Sequence, residues 1–358
     1  MSTPPPAAGA RPRDNFDAIR LAAALTVLYG HAFPLTGGTL PPMFGNEVAS
    51  LAVKVFFVIS GYLVIESWRR DPSPGRYLQR RMLRIFPGLA VNVLSCAFVL
   101  GPLVSTLPLG DYLRSPLLPR YLENILLRPA SLLPGVFHAL PYPDAVNGSL
   151  WTLPVEFGMY LATPLLVLRG GGQPTRILAG CLALCAASLY LLRIEQLDLA
   201  GHGRAILDAF DVAPYFLLGA AWRIVAPRSL LKPQVAMLLL PVPMLVPGGG
   251  FAYELGLLLI LPYATLSLAL ARPAALGWAG RLGDFSYGIY IYAFPVQQAV
   301  ALGFHTDRDP LLNAALSMPP TLLLAALSWH GVEKRFLRLK PRGSPARTEA
   351  ANAGPIAG

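Results

Sequence analysis

The sequence predicts an all-α, polytopic integral membrane protein: a bundle of about ten transmembrane helices with both termini cytoplasmic. Three observations predict it. Of 358 residues, 54% are hydrophobic and only 13% are charged, about half the roughly one quarter that soluble domains carry. The apolar residues come in blocks close to the twenty or so that a helix needs to cross a roughly 30 Å hydrocarbon layer. Lys and Arg collect on alternate connections between those blocks, the usual mark of orientation in a membrane.

Taken in order, residues 1–14 and 341–358 are rich in Pro, Ala, Gly and Ser and read as disordered tails around a single domain at 15–340. The N-terminal stretch lacks an apolar core before a small-residue cleavage site, so the first apolar helix is expected to act as the insertion signal. Spans fall near 18–36, 48–66, 82–105, 149–168 and 176–192, then 208–226, 233–247, 251–271, 283–303 and 310–330. The seventh is short and holds Pro241 and Pro243. The longest extramembrane stretch, 106–148, carries seven prolines and faces outward in this topology. Such loops serve as lids or binding loops, or as passive connectors.

With both ends inside, twenty Lys and Arg lie on cytoplasmic segments. Only Arg114, Arg120, Arg128, Arg193, Arg204 and Arg308 lie on outer ones. The net charge of +10 therefore reports membrane orientation and not a nucleic-acid partner. Cys96, Cys181 and Cys185 sit in apolar segments without disulfide or zinc spacing and read as packing residues. No metal site is expected.

Chemistry is concentrated in polar residues that lipid does not tolerate. In the first span Arg20 and His31 are eleven positions apart. That is almost three whole turns, so both lie on one face, about 16 Å apart along the axis. An ionisable residue at the depth of His31 marks a functional site, unless a neighbouring backbone or hydroxyl group satisfies it. Arg76, Arg80, Arg81 and Arg84 gather around the start of the third span. Guanidinium forks on one helical face suit a phosphate-bearing ligand; ordinary positive-inside anchoring explains arginines there without any ligand and, taken alone, is the stronger reading. Glu156 lies seven residues into the fourth span, flanked by Trp151, Thr152 and Pro154. Counted from the outer ends of their spans, His31, Lys54 and Glu156 all lie about 8–10 Å deep. A common depth implies one outward-opening polar chamber in which Lys54 pairs with Glu156. The alternative is a Lys54 that snorkels to the interface.

The chain resembles the membrane acyltransferase type 3 family, whose members include O-antigen and exopolysaccharide O-acetyltransferases of bacteria. The resemblance rests on R-x10-H (Arg20, His31), on FFVISGYL in the second span and on R-x-x-R (Arg81, Arg84). SLWTLPVEF, LGDFSYGIYIYAFPV and SWHGVEKRF add to it, over residues 14–340. It implies a cytoplasmic-membrane enzyme that moves an acyl group, usually acetyl, from acyl-CoA (acetyl-CoA) to a hydroxyl of a carbohydrate or glycolipid acceptor. It also implies catalytic roles for His31 and Arg20, with Glu156 added from its place in the span. Arg20, Arg81 and Arg84 would hold the donor, and Lys54, Glu156 and Trp151 would border the acceptor. Two positions depart from the family. Ala293 stands where many members have histidine, and Lys54 stands near a position that is often acidic. Rival classes are a secondary transporter or flippase, which should show an internal repeat of broken helices, and a glycosyltransferase, which should show clustered acids.

Overall fold

The computed structural model describes residues 14–167 apart from 41, 44 and 45, then 202–242, 251–272, 276 and 283–341, with three isolated positions between 168 and 201. Nearly all of the fifth expected span, Cys181 and Cys185, the last third of the seventh span and nearly all of both tails lie outside the described residues. Among the described residues the chain is helical, with no β-strand and one isolated bridge between Met43 and Asn46.

The helices are α1 (Phe16–Leu35), α2 (Val48–Arg70), α3 (Pro74–Ser95), α4 (Leu109–Arg114), α5 (Leu117–Leu122) and α6 (Thr152–Leu166). They continue with α7 (His202–Val225), α8 (Pro233–Leu239), α9 (Phe251–Ala269), α10 (Ser286–Phe304) and α11 (Pro310–Ser328). Four are long and apolar enough to cross a membrane: α1, α2, α3 extended to Val104, and α11 extended to Leu337. The two extensions run through π turns, Cys96–Leu100 and Trp329–Glu333.

Two boundaries differ from expectation for one reason. Helix α2 runs on to Arg70 and α3 starts at Pro74, eight residues before the expected 82, so only Asp71–Ser73 join them. Helical segments that emerge into water keep their hydrogen bonds but lose their apolar signature. Pro74 at the first turn, where a missing N–H costs nothing, marks the true start.

Prolines inside helices leave carbonyls without a partner, which is costly in a bundle that excludes water. Pro295 strips Ile291 of its donor, and the side-chain amides of Asn92 and Asn147 supply it at 2.9 and 2.8 Å. Pro164 strips Tyr160 likewise, and the Tyr77 hydroxyl donates to that carbonyl at 2.9 Å. These replacements tie α3 to α6 and α10. Helices α2 and α7 meet backbone to backbone: a Cβ added at Gly61 would run into the Phe216 carbonyl, and one at Gly219 into that of Val58. Small residues allow such an approach in membrane bundles.

The 106–148 segment is folded rather than irregular. Tyr112, Tyr121, Val136 and Phe137 are buried in the main core. The Tyr112 hydroxyl reaches across to donate to the carbonyl of Ala97 at 2.7 Å.

Candidate functional site

A cavity of about 1550 Å³ opens among α1, α2, α3, α6 and α10, with the end of the α11 extension at its rim. Ten Lys and Arg line it against six Asp and Glu, an excess that suits an anionic guest. Four of the arginines come from two helices. Arg20 projects from α1, and Arg80, Arg81 and Arg84 from successive turns of α3.

One carboxylate organises two of them. Asp284, just ahead of α10, accepts from Arg84 Nη2 at 2.5 Å and from Arg20 Nη1 at 3.3 Å through the same oxygen. Its other oxygen accepts from the Ser286 hydroxyl at 2.6 Å. Arg81 carries no carboxylate partner among the described residues. Its guanidinium lies against the rings of Tyr77 and Tyr160 at 5.9 and 5.6 Å. One hydroxyl, Ser67 Oγ, accepts from it at 3.4 Å, while its Nε is buried with no hydrogen-bond partner. Arg76 and Arg80 are bound elsewhere, both clamping Asp71 at 2.5 and 2.7 Å. The Arg76 fork, then Arg80, holds the Asp71 carboxyl well below the usual range.

Glu156 faces the same cavity from α6. One of its oxygens accepts from the Ser60 hydroxyl at 2.8 Å and from the Tyr160 hydroxyl at 2.5 Å. Thr152 and Tyr290, joined at 2.7 Å, form the wall beyond it.

The expected site residues thus divide. Arg20, Arg81, Arg84 and Glu156 share one cavity; His31, Lys54 and Trp151 do not line it. His31 sits farther along α1, half-buried, with Nδ1 lacking a hydrogen-bond partner and its ring 5.5 Å from Phe294. Trp151 caps the start of α6 and packs against the core.

The pairing of Lys54 with Glu156 is corrected. Lys54 is 1% exposed, bonded to Asp211 at 2.9 Å and to Asn46 at 2.6 Å, with the Tyr215 ring 5.7 Å away. That geometry also excludes snorkelling. Equal depth along two helices says nothing about which sides face one another, and Asp211 on α7 faces Lys54 across the tight α2–α7 crossing. Three polar partners were not singled out in the sequence: Asp284 and Tyr160 in the cavity, and Asp211 opposite Lys54. Asp211 satisfied the same criterion as Glu156, an acid inside an apolar block. Asp284 stood within the LGDFSYG stretch without being singled out.

Residues 13–330 match the family described as "Acyltransferase domain". The O-acetyl transferase of Shigella phage Sf6 is 31% identical over 345 residues, covering 92% of this chain and 97% of the relative. Nodulation protein 10 of Rhizobium leguminosarum bv. viciae is 28% identical over 364 residues, covering 92% and 94%. Peptidoglycan O-acetyltransferase OatA of Listeria monocytogenes is 23% identical over 328 residues, with 79% of this chain set against 50% of that protein. No solved structure gives a significant match.

Proposed function

The chain belongs to the acyltransferase domain family, and from that membership we propose that it moves an acyl group, acetyl in the first instance, from cytoplasmic acyl-coenzyme A to a hydroxyl of a carbohydrate-containing acceptor at the outer face of the cytoplasmic membrane. O-acyl transfer follows from the family. The donor, the acceptor, the ten-span topology with both ends inside and the sidedness are the proposal.

The observation that carries it is the arginine-walled cavity. Its basic lining includes Arg70, Arg80, Arg228, Arg272, Lys334 and Arg338, all on segments that the charge count assigns to the cytoplasm. No arginine assigned to the outside lines it among the described residues. Acyl-coenzyme A is cytoplasmic and brings several phosphates. At about 1550 Å³ the space exceeds the roughly 300–1,000 Å³ of a drug-sized site and suits a nucleotide with a long arm.

In this reading Arg81, with an unsatisfied Nε, takes phosphate first, and Arg20 and Arg84 take it in competition with Asp284. The pantetheine arm continues past Glu156 and Thr152 toward His31. There the acceptor oxygen attacks the thioester carbon and the C–S bond breaks. His31 takes the hydroxyl proton as general base, worth about 10² to 10⁴ in rate, and passes it to the departing thiolate. Lys54 ties Asn46 to Asp211 of α7, and neither it nor Trp151 touches the donor.

The test has two arms. In nanodiscs, Arg81→Ala should weaken coenzyme A binding about tenfold or more, as loss of a charge-assisted hydrogen bond implies, and Arg81→Lys should recover only part. In cells, acyl esters on glycan hydroxyls, read by mass spectrometry, should vanish on deletion of the gene and with His31→Gln. Gene-independent glycan acylation, or coenzyme A affinity untouched in Arg81→Ala, would sink the reading.

A further inference from the structure

The outer segment contains a second group of polar and aromatic side chains that the donor cavity does not use. Its turn at 137–144 lies over the C-terminal end of α1. Leu35 packs with Ala145 and Phe294 in one small core, and His31 lies one helical turn below Leu35. The Phe294 ring stands between the two levels. It meets His31 at 5.5 Å and Tyr142 at 5.9 Å, edge to face in both cases. Tyr142 is 43% exposed, so one ring of this stack is open to the outside while the other end touches His31.

The turn is held in place. Gln298 of α10 donates to the carbonyls of Tyr142 at 2.8 Å and Ala145 at 3.0 Å. Pro141 packs on Gly37, where a Cβ would come within 3.3 Å. Phe137 and Asp144 both adopt left-handed backbone angles, φ 62° and 63°, which cost non-glycine residues free energy and persist where the surroundings enforce them. The Asp144 carboxylate is in hydrogen-bonding contact with the His138 ring, and these side chains remain 44% and 53% exposed. A rigid turn therefore presents an open aromatic ring, a carboxylate and an imidazole within seven residues, with the Phe294 ring linking Tyr142 to His31.

We infer that Tyr142, with Asp144 and His138, is the acceptor platform, binding a neutral pyranosyl unit so that one of its hydroxyls reaches His31. A pyranose has one face of C–H groups and a rim of hydroxyls. The C–H face packs on an aromatic ring, which offers large area at little entropic cost. The rim hydroxyls donate to a carboxylate, which accepts through both oxygens, and exchange hydrogen bonds with imidazole. The aspartate disfavours an acidic sugar by like-charge repulsion. Tyr142 touches neither the donor cavity nor its arginines, so the platform separates acceptor choice from donor binding.

This inference rests on the proposed acyl transfer to an outer-face carbohydrate. The test uses purified protein, radiolabelled acetyl-CoA and surface glycan extracted from cells deleted for the gene. Tyr142→Ala should raise the glycan KM about five- to tenfold, the worth of one aromatic contact, with the acetyl-CoA KM unchanged. Tyr142→Phe should recover most of that loss, and Asp144→Asn should raise the glycan KM severalfold. Because Tyr142 is half out of the fold, its truncation leaves the buried core filled; Tyr142→Phe controls for misfolding. Glycan KM within twofold of wild type in both Tyr142→Ala and Asp144→Asn overturns the platform, as does an equal loss in Tyr142→Ala and Tyr142→Phe. A wild-type protein that acetylates no extracted glycan while still binding coenzyme A overturns the acceptor reading itself, and the platform with it.

Discussion

Replacing Asp284 with Asn keeps the shape of the side chain and removes the one charge that Arg20 and Arg84 share. At the effective dielectric of about 20 that suits partly hydrated sites, a unit pair near 4 Å is worth on the order of 4 kcal/mol before desolvation. Two such pairs meet on one carboxylate oxygen, and residual side-chain exposures of 17–18% with a water-accessible cavity screen them. A net loss of about 2–4 kcal/mol follows, at or below the roughly 3–5 kcal/mol seen when a buried pair loses one partner. In purified protein heated in detergent and followed by size exclusion, that corresponds to a fall of roughly 5 °C or more. The same geometry makes the loss reversible by ligand. Phosphates of coenzyme A would replace the missing charge, so saturating coenzyme A should raise the transition of Asp284→Asn more than that of wild type. Arg84→Gln in the same background should cost less than in wild type, since its partner is already gone. An Asp284→Asn protein that melts with wild type and gains no more from coenzyme A would show that Asp284 neither neutralises these arginines nor occupies a phosphate position.

Lys54→Met and Asp211→Asn should each destabilise the protein by about 3–5 kcal/mol, because each strands a buried or half-buried charge. The double variant should cost clearly less than the sum in the same thermal assay; additivity would mean that the pair does not interact. Gly61→Ala or Gly219→Ala should lower the yield of folded, monodisperse protein sharply, since the added methyl meets backbone that has nowhere to move, beyond the roughly 1–3 kcal/mol of ordinary overpacking. Normal yield of both would refute the close crossing. The depressed carboxyl of Asp71 contributes stability that is full above its ordinary value of about 3.9 and is lost as pH falls through its lower folded value. The stability gap between wild type and Asp71→Asn should therefore stay constant from pH 8 to about 4 and close only below it. A gap that closes between pH 7 and 5 would assign the effect to another group.

Much of this architecture was legible because lipid imposes a simple requirement on length and polarity. The apolar blocks within the described residues became helices, and R-x-x-R put Arg81 and Arg84 on one face of α3, in the cavity that Arg20 enters from α1. What was not legible is pairing across the bundle. Lys54 and Asp211 are each visible as intruders in apolar spans, yet nothing local says that α2 and α7 touch; the small residues Gly61 and Gly219 are the only trace of it. Asp284 was hidden for a different reason. It sits at a helix start, where an acid is unremarkable by itself, and its importance comes from the two arginines that arrive from elsewhere. The many prolines of 106–148 pointed to an irregular chain, but Tyr112 and Tyr121 anchor it, and anchoring by single aromatics leaves no period to detect. Ala293 is completely buried in a small core with Leu28, Ala32 and Ala314.

The π turn at Trp329–Glu333 sets the rotational phase of the last stretch of helix. Ser328 and Glu333 are both buried and hydrogen bonded at 2.8 Å, although residues five apart in an unbroken α-helix point about 140° away from each other. The single extra residue in the turn resolves that conflict. Straightening the turn while keeping all five residues would rotate everything after it by about 100°. Lys334, Leu337 and Arg338, which rim the cavity, would leave it together. Deleting one residue between 329 and 333 would instead give a regular helix that holds nearly the same phase, so this stretch should tolerate a one-residue deletion better than an added one.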